Sequence, residues 1–293
     1  MVSTKITYPR LSIVTPSYNC GHYIERTISS VVDQNYPNLE YLVIDGASTD
    51  STVEILTRLR SVPKYAARFK WISEKDNGQT DAINKGLRMC TGDWFAFLNA
   101  DDYYEPGALL RVGEEIAGHP NSGVIHGNCY VQYDCGAFTE KVLYDPLGAV
   151  TFENMSRGNI IFGPTAYFNM NAIRIVGEFD TNLYYWMDYD MFLRIIRVMP
   201  FHFVNCPVTT FRIRLDQKSP SDPSDREKYR RFHEESYRVW LRNGGRPFTR
   251  LFFKRFVVVG WLVKFMNEHI KRDRHYLEIL KQRDKAHQED CRR

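Results

Sequence analysis

Two adjacent carboxylates follow an apolar run in the first half of the chain. Asp101 and Asp102 come directly after residues 94–98, whose composition is that of a buried strand. Such a strand places its last residues at the carboxyl edge of a sheet, where open α/β folds bind ligands. Paired carboxylates suit a hard divalent cation, which usually bridges the phosphates of a nucleotide. Because an Asp-Asp pair is also a common turn or helix cap, the pair alone leaves both interpretations open.

Other polar segments follow strand-like runs in the same way. The runs are 11–15, 39–44 and 69–72, and the first is predicted to end at Pro16. Segments with helical spacing of apolar residues separate them. Strands that alternate with helices predict a mostly parallel sheet with helices on both faces, and the polar segments should meet at one edge. These segments are 16–19, 45–48, 74–78 and 99–102.

The second half of the chain has a different pattern. Shorter alternating runs at 123–143 predict an antiparallel ribbon, and residues 189–198 predict a helix. A Ser- and Pro-rich stretch at 218–224 indicates a domain boundary. We therefore divide the chain into domains 1–221 and 222–293, and the second is predicted to be helical.

Composition excludes several classes of protein. The 293 residues are 43% hydrophobic and 25% charged, as in ordinary globular proteins. The six cysteines form no CxxC pair, which argues against a zinc ribbon and a thioredoxin motif and leaves a reducing cytosol as the default. The first ten residues lack the apolar core of a signal peptide, and the apolar stretch 256–263 is too short to span a membrane.

Charge is unevenly distributed along the chain. The net charge is +4, but residues 242–293 contain 14 Lys and Arg against 6 Asp and Glu. A basic, aromatic-rich tail is typical of contact with a membrane surface or an acidic partner. A helical appendage that packs on the main domain would show the same pattern, and both interpretations stay open. We find no recognised nucleic-acid-binding module in the sequence.

Seven short segments carry a resemblance in their order and spacing. Together they make the chain, from about residue 11 to 221, resemble a family 2 inverting glycosyltransferase. That resemblance implies the GT-A fold, a Rossmann-like α/β architecture, here followed by a basic helical C-terminal extension. The segments are TPSYN at 15–19, IDGASTDST at 44–52, GQTDAINKG at 78–86, TGD at 91–93, LNADD at 98–102, GEFD at 177–180 and MDYD at 187–190.

The resemblance implies a donor site for a nucleotide sugar. Pro16 and Tyr18 would wall the base pocket, and Asp45 would accept a hydrogen bond from a base N–H. Asp81 would face the donor sugar or ribose, with Lys85 near the phosphates. In isolation Asp45 also fits an Asp-Gly turn, and Asp81 and Lys85, four residues apart on a predicted helix, also fit an ion pair on a solvated surface.

The resemblance also implies a divalent cation, Mn²⁺ or Mg²⁺, held by Asp101 and secondarily by Asp102. The sequence departs from the family pattern at two positions. Asn99 replaces the first carboxylate of the metal motif, and Arg214 stands where many members have a histidine. An arginine stays protonated and cannot ligate a cation. Either water completes the shell, or Arg214 contacts the diphosphate directly.

The general base is the third element that the resemblance implies. Asp188 aligns with the aspartate that takes the proton of the acceptor hydroxyl, although a helix N-cap would look the same. Asp190 is expected to be structural, and Met187 replaces a glutamate found in many members. Tyr185 and Trp186 precede the base and are candidates for the acceptor site or for the core.

The predicted activity is inverting sugar transfer from a nucleotide-sugar donor to a lipid-linked or oligosaccharide acceptor. The expected setting is cell-surface polysaccharide biosynthesis in the cytoplasm, at the inner face of the cell membrane. Because Asn99 and Arg214 depart from the pattern, a catalytically degenerate nucleotide-sugar-binding module is the alternative. A sugar-1-phosphate nucleotidyltransferase is disfavoured, since no glycine-rich loop follows the first strand.

Overall fold

The computed structural model describes residues 7–134, 139–144, 150–155, 159–214, 217–219 and 225–246. Within them, strands form a single sheet in the order β3-β2-β1-β4-β8-β6-β9-β5, and β7 also pairs with β6. The strands are β1 (Leu11–Ser17), β2 (Leu39–Asp45), β3 (Lys70–Ser73), β4 (Trp94–Phe97), β5 (Tyr103–Tyr104), β6 (Val124–Asp134), β7 (Thr139–Tyr144), β8 (Ala166–Asn169) and β9 (Phe201–Ile213). The helices are α1 (Ile24–Val32), α2 (Thr52–Ser61), α3 (Pro63–Ala66), α4 (Gln79–Met89), α5 (Ala108–Gly118), α6 (Phe152–Met155), α7 (Met170–Val176), α8 (Met187–Ile195) and α9 (Arg226–Arg242).

The first four strands form the parallel half of the sheet. β1 pairs in parallel with both β2 and β4, and β3 extends the sheet beyond β2. Residues of α1, α2 and α5 pack in one core on one face, and residues of α4, α7, α8 and α9 pack in a second core on the other. Every residue of β1 and β4 is buried, and β4 is a continuous apolar run, as is typical of a strand covered on both faces. The prediction of a mostly parallel sheet with helices on both faces is confirmed.

The other half of the sheet mixes directions. β8 is antiparallel to β4 and to β6, while β9 runs parallel to β6 over most of its length. The predicted ribbon corresponds to β6 and β7, which are antiparallel. β5 is antiparallel to β9 and carries the chain out of the Asp101–Asp102 turn. Through β9, the second half of the chain therefore reaches the edge where the first half ends its strands.

The prediction that β1 ends at Pro16 is wrong, because β1 continues to Ser17 beside β2. The amide of Leu98 donates to the carbonyl of Val14 at 2.9 Å, so the backbone of Val14 faces β4. Pro16, two residues later, faces the same side. There the pairing with β4 has already ended, and the missing N–H of proline interrupts no ladder.

The helix α9 belongs to the segment predicted as the C-terminal extension, yet it packs on the main core. Val239 and Trp240 are buried there, and Asp190 of α8 accepts from Asn243 at 2.8 Å. The boundary at residue 221 stays a prediction, and residues 220–224 and 247–293 lie outside the described residues. No helix in the described part of the chain is long and apolar enough to cross a membrane.

Candidate active site

The loops after β1, β2 and β3 are joined by hydrogen bonds at the carboxyl edge of the sheet. Asn19 donates its backbone N–H to the Ser48 hydroxyl at 2.8 Å, and the Thr49 amide donates to Asn19 Oδ1 at 2.8 Å. Ser73 Oγ donates to Asp45 Oδ2 at 2.7 Å. The predicted convergence of these polar segments is confirmed.

Asp45 is fully buried at the end of β2. Its carboxylate accepts from the hydroxyl and the backbone N–H of Ser48, besides Ser73 Oγ. These contacts fix the loop that would face a base. Near them, Pro16 is buried, whereas 61% of the Tyr18 surface is exposed and its ring is available to a ligand.

Asp81 and Lys85 lie on α4, as predicted. Asp81 accepts from the backbone N–H of Asn77 at 3.0 Å, which closes the loop before the helix. Lys85 Nζ is 2.9 Å from a carboxylate oxygen of Glu74 and 4.0 Å from Asp81 Oδ2, and it donates to the carbonyl of Lys75 at 2.9 Å. The hydrogen bond with Glu74 is the main cause that raises the pKa of Lys85. The ammonium group is thus held by neighbouring carboxylates.

The adjacent carboxylates after β4 differ in environment. Asp102 is fully buried, and its two oxygens accept from the backbone N–H of Arg212 at 3.0 Å and from Asn99 Nδ2 at 2.9 Å. Burial, and then the charge of Asp101, raise the pKa of Asp102 well above its ordinary value. Asp101 keeps 18% of its side chain exposed, and its Oδ2 lies 3.0 Å from Arg214 Nε.

Of the residues in the loop after β4, Asp101 is the one with a carboxylate available to a divalent cation. Mg²⁺-type ions in nucleotide sites use one or two carboxylates together with substrate phosphates. Asp101 can supply one such carboxylate at the surface. Both oxygens of Asp102 are already engaged inside the protein, and Asn99 Oδ1 accepts from Gln79 Nε2 at 2.7 Å. The arrangement therefore fits a cation shared by Asp101 and a bound diphosphate, with the guanidinium of Arg214 beside it.

Asp188 lies in the first turn of α8, which begins at Met187, so the N-cap interpretation of Asp188 is wrong. Its carboxylate accepts from the backbone N–H of Tyr189 at 2.7 Å and from Asn159 Nδ2 at 3.2 Å. Burial raises the pKa of Asp188 to about 6, against the lowering effect of these bonds and of the nearby Lys218. At pH 7 the group is mostly ionised, but it binds a proton more readily than an ordinary aspartate.

Gly163 leaves the space that the Asp188 carboxylate occupies. A Cβ atom at this position would lie 2.9 Å from Asp188 Oδ2 and 2.7 Å from Cζ of Phe97. Both contacts are too short for any residue with a side chain. The 3₁₀ turn Gly163–Thr165 therefore sets the position of the carboxylate, and sequence reasoning did not identify it.

A chain of polar contacts joins the two carboxylate regions. Lys218 Nζ donates to Gln79 Oε1 at 3.1 Å, and Gln79 in turn donates to Asn99, which donates to Asp102. Burial lowers the pKa of Lys218, and Asp188 is among the nearby carboxylates that raise it. Lys218 belongs to the predicted linker, since a single lysine in a Ser- and Pro-rich stretch carries no sequence signal for such a contact.

The start of α4 also touches the start of α8. Thr80 Oγ1 lies 3.1 Å from Met187 Sδ, with both groups buried. Met187 stands where many family members have a glutamate, so a thioether contact takes that place here. The contact places the first turn of α4, and with it Gln79, beside the helix that carries Asp188.

The segment before Asp188 is held by α9. The backbone N–H groups of Tyr184, Tyr185 and Trp186 all donate to the carboxylate of Glu235, at 3.1, 2.7 and 2.9 Å. Trp186 also donates from Nε1 to the carbonyl of Phe232 at 2.6 Å, and the two rings pack 4.3 Å apart. One side of Trp186 is thus occupied by α9. Tyr184 is exposed over 59% of its surface, and Lys218 Nζ lies 4.5 Å from the centre of its ring.

Known proteins resemble this chain in sequence and in fold. Residues 12–176 match the sequence profile described as Glycosyl transferase family 2. The TuaG glycosyltransferase of Bacillus subtilis, named for teichuronic acid biosynthesis, is 37% identical over 154 residues, which cover 52% of this chain and 59% of TuaG. The chain spans about a third of the length of several other curated relatives.

Two solved structures share the fold. TarS of S. aureus, residues 1–349 in complex with UDP-GlcNAc, has a TM-score of 0.61 at 19% identity, covering 79% of this chain and 66% of that one. The mannosyltransferase PcManGT of Pyrobaculum calidifontis, in complex with GDP-Man and Mn²⁺, has a TM-score of 0.58 at 19% identity, covering 82% and 66%. At this identity the likeness shows the GT-A fold that the sequence predicted.

Proposed function

The chain belongs to glycosyltransferase family 2, and on that basis we propose that it transfers a sugar from a nucleotide-sugar donor to a hydroxyl of a lipid-linked or oligosaccharide acceptor, with inversion at the anomeric carbon. One observation carries the proposal. Polar contacts run from Asp102 through Asn99 and Gln79 to Lys218, and the charge of Lys218 acts on the Asp188 carboxylate. These contacts support a single site in which a carboxylate for the acceptor proton would lie near the groups that would hold a diphosphate.

On the donor side, Tyr18 and Pro16 would border the base, and Asp45 would support its recognition. The buried contacts of Asp45 with Ser48 and Ser73 support a role in shaping that pocket. Asp81, which closes the loop before α4, would face the ribose or sugar. We assign Lys85 to the ion pair with Glu74, since their 2.9 Å contact already balances its charge.

The leaving group is a nucleoside diphosphate, whose charge must be balanced. The Mn²⁺ in the structure of PcManGT supports a divalent cation at Asp101 in this chain as well. A bound cation would neutralise the departing diphosphate. Arg214 would move from Asp101 to a phosphate oxygen, because a guanidinium binds phosphate by two parallel hydrogen bonds. Asp102, which is held by Arg212 and Asn99, would keep the loop in shape.

Asp188 would act as the general base. With a pKa of about 6, its carboxylate is ionised at neutral pH and accepts the proton of the acceptor hydroxyl as that oxygen attacks the anomeric carbon. The bond from the anomeric carbon to the diphosphate oxygen breaks in the same displacement, which inverts the configuration. Tyr184, Tyr185 and Trp186 precede the base on the acceptor side, and the exposed ring of Tyr184 is the best placed to stack on a sugar.

The setting follows from the relatives and from charge. TuaG is named for teichuronic acid biosynthesis, which supports a role in cell-surface polysaccharide assembly. The excess of Lys and Arg in residues 242–293 supports contact with the inner face of the cell membrane, where a lipid-linked acceptor would be presented. Donor base, sugar and acceptor are to be found by experiment.

Binding and turnover test the proposal in two steps. Thermal shifts of the full chain with UDP, GDP, TDP and CMP, with and without Mn²⁺, identify the base, because a ligand stabilises the fold that binds it. The sugar nucleotides of that base are then screened for sugar release or transfer, and NMR of the product reports the anomeric configuration. A shift that needs Mn²⁺ and is lost in Asp101→Ala supports the cation site, and a product of inverted configuration supports the mechanism.

Three outcomes would contradict the proposal in whole or in part. The absence of a shift with any nucleotide would argue against the donor site. Cation-dependent nucleotide binding without release or transfer of sugar would favour the alternative, a degenerate nucleotide-sugar-binding module, for which Asn99 and Arg214 are the supporting departures. A product of retained configuration would leave the family assignment intact and remove Asp188 as a simple base.

A further inference from the structure

A cluster of two histidines and a glutamate lies at the sheet edge opposite the donor loops. Glu115 and His119 are one turn apart at the end of α5, and His202 is the second residue of β9. Glu115 Oε2 lies 3.1 Å from His202 Nε2 and 3.6 Å from His119 Nδ1. One ligand atom from each residue falls within 4.8 Å of the other two.

The donor set is that of a borderline transition metal. Imidazole nitrogen combined with a carboxylate suits Zn²⁺, whereas Mg²⁺ and Ca²⁺ prefer oxygen alone. Zn²⁺ bonds of about 2.1 Å at tetrahedral angles place ligand atoms about 3.4 Å apart. The distances of 3.1 and 3.6 Å from Glu115 Oε2 lie on either side of that value.

The contacts around the cluster turn one oxygen of Glu115 toward the histidines. Arg111 Nη2 lies 3.0 Å from Glu115 Oε1, which orients the carboxylate and leaves Oε2 toward the histidines. The rings of His119 and His202 stack with centres 3.5 Å apart. Stacked rings do not point their lone pairs at one position, so a shared ion requires one ring to turn.

His119 has the freedom for that turn, since 45% of its side chain is exposed. Its Nδ1 contacts the carbonyl of Glu115 at 3.1 Å, and the same carbonyl accepts the backbone N–H of His119 at 2.9 Å. Rotation of the ring therefore leaves no carbonyl without a partner.

We propose that Glu115, His119 and His202 form a cation site for Zn²⁺ or a similar transition-metal ion, separate from the cation position at Asp101, with water completing the shell. The proposal does not depend on the proposed function. The ion would join the end of α5 to the start of β9. Both elements run to the donor edge, where Arg212 of β9 holds Asp102, roughly 33 Å along the strand from His202.

The test uses the full chain after removal of metal with a chelator. Zn²⁺ is titrated by calorimetry, and the melting temperature is followed in parallel, for the wild type, His119→Gln and His202→Gln. His233→Gln is the matched control, because His233 is exposed on α9 and outside the cluster. The sequence has further His and Cys residues in 247–293, and their contribution is common to all four proteins.

We expect the wild type and His233→Gln to bind one Zn²⁺ that the two cluster variants bind at least about tenfold more weakly, with a smaller rise in melting temperature. Equal affinity and stoichiometry in the wild type and His119→Gln would overturn the proposal. Because His119 is half exposed, that variant decides the question even where His202→Gln fails to fold.

A second arm separates this site from the donor site. Asp101→Ala should keep the Zn²⁺ affinity of the wild type, and His119→Gln should keep the Mn²⁺-dependent shift with nucleotide. Loss of Zn²⁺ binding in Asp101→Ala would mean that the ion sits at the donor edge and would overturn the assignment to Glu115, His119 and His202.

Discussion

The carboxylates of the proposed donor side and of the proposed acceptor side are held in different ways. On the donor side, Asp45 and Asp102 are fully buried and their oxygens accept from protein groups, and Asp101 lies against Arg214. On the acceptor side, Asp188 accepts one backbone N–H and one longer bond from Asn159, and burial raises its pKa to about 6. The oxygens of Asp45 and Asp102 are thus occupied by hydrogen-bond donors of the protein, and these side chains shape a surface rather than exchange partners.

Asp188, with a pKa of about 6, can gain and lose a proton near neutral pH. Its place on α8 is not the cause, as Asp190 on the same helix shows. Asp190, two residues later, is buried, but it is paired with Arg194 at 2.8 Å and with Arg242 at 2.8 Å. The same helix thus carries one carboxylate paired with two arginines and one that, among the described residues, has no cationic partner at hydrogen-bond distance. The difference between binding and proton transfer lies in the partners of each carboxylate.

The strongest test of this comparison is Asp188→Asn. We expect kcat to fall by about 10²–10⁴, the range of a lost general base. The folded pKa of about 6 exceeds the ordinary 3.8, so the ionised group destabilises the fold above pH 6 and this cost disappears as pH falls below 4. The free energy of unfolding of the variant should therefore be about 1–3 kcal/mol higher than that of the wild type at pH 7. Urea denaturation measures this difference, and steady-state assays measure the fall in kcat.

Asp190→Asn is the matched control for that prediction. This substitution removes the negative charge that pairs with Arg194 and Arg242 in the interior. We expect the free energy of unfolding to fall by about 3 kcal/mol as a result. Retained activity in a stable Asp188→Asn protein would mean that the two carboxylates have the same structural role, and the comparison would fail.

Glu235→Ala tests whether α9 positions the segment that leads to Asp188. Three backbone N–H groups would lose a charged acceptor, and we expect the free energy of unfolding to fall by about 2–3 kcal/mol. Glu234→Ala is the control, since Glu234 is exposed and pairs only across one turn with Arg230, which predicts a change of about 0.5 kcal/mol. Urea denaturation measures both changes. Equal falls in the free energy of unfolding would show that the three Glu235 contacts stabilise the fold no more than a surface ion pair does.

Lys218→Met sharpens the comparison through pH. Lys218 lowers the pKa of Asp188, so its removal should raise that pKa further above 6. The acid limb of the kcat profile should then move to higher pH by roughly half a unit to one unit, the effect of a partly screened charge. Lys228→Met, which removes a lysine that donates to the carbonyl of Gln217, should leave the limb near pH 6. If the acid limb of Lys218→Met stays near pH 6, Lys218 does not influence the pKa of the base.

The convergence of the loops after β1 to β4 could be predicted from sequence because its signals are local. Each strand from β1 to β4 is followed directly by its polar loop, and parallel strands bring such loops to one edge. The exposure of Asp101 and the burial of Asp102, adjacent residues, depended on contacts with Arg212 and Arg214, more than 100 residues away. No local pattern contains that information.

The surroundings of Asp188 could not be predicted from sequence, because they depend on contacts between distant parts of the chain. The resemblance predicts Asp188 as the base, and that role stays a prediction; β8 and β9, which bring Gly163 and Lys218 near it, pair with strands distant in sequence. Asn159, Gly163 and Glu235 carry ordinary local signals: a polar loop residue, a turn glycine and a charge on a helix. Their function follows only from distances that the fold creates.

Lys85→Met gives the smallest expected effect and tests the fixed character of the donor side. If Lys85 serves the ion pair with Glu74, nucleotide affinity should change by less than about threefold, and stability by no more than an exposed ion pair contributes, about 0.2–1 kcal/mol. Glu74→Gln should then resemble it in both measurements, because either substitution removes the same pair. A loss of more than tenfold in affinity for the selected nucleoside diphosphate in Lys85→Met alone would show that the lysine reaches the phosphates. In that case a donor-side charge would exchange its protein partner for the ligand, as we propose for Arg214, and the donor surface would be less rigid than its buried carboxylates indicate.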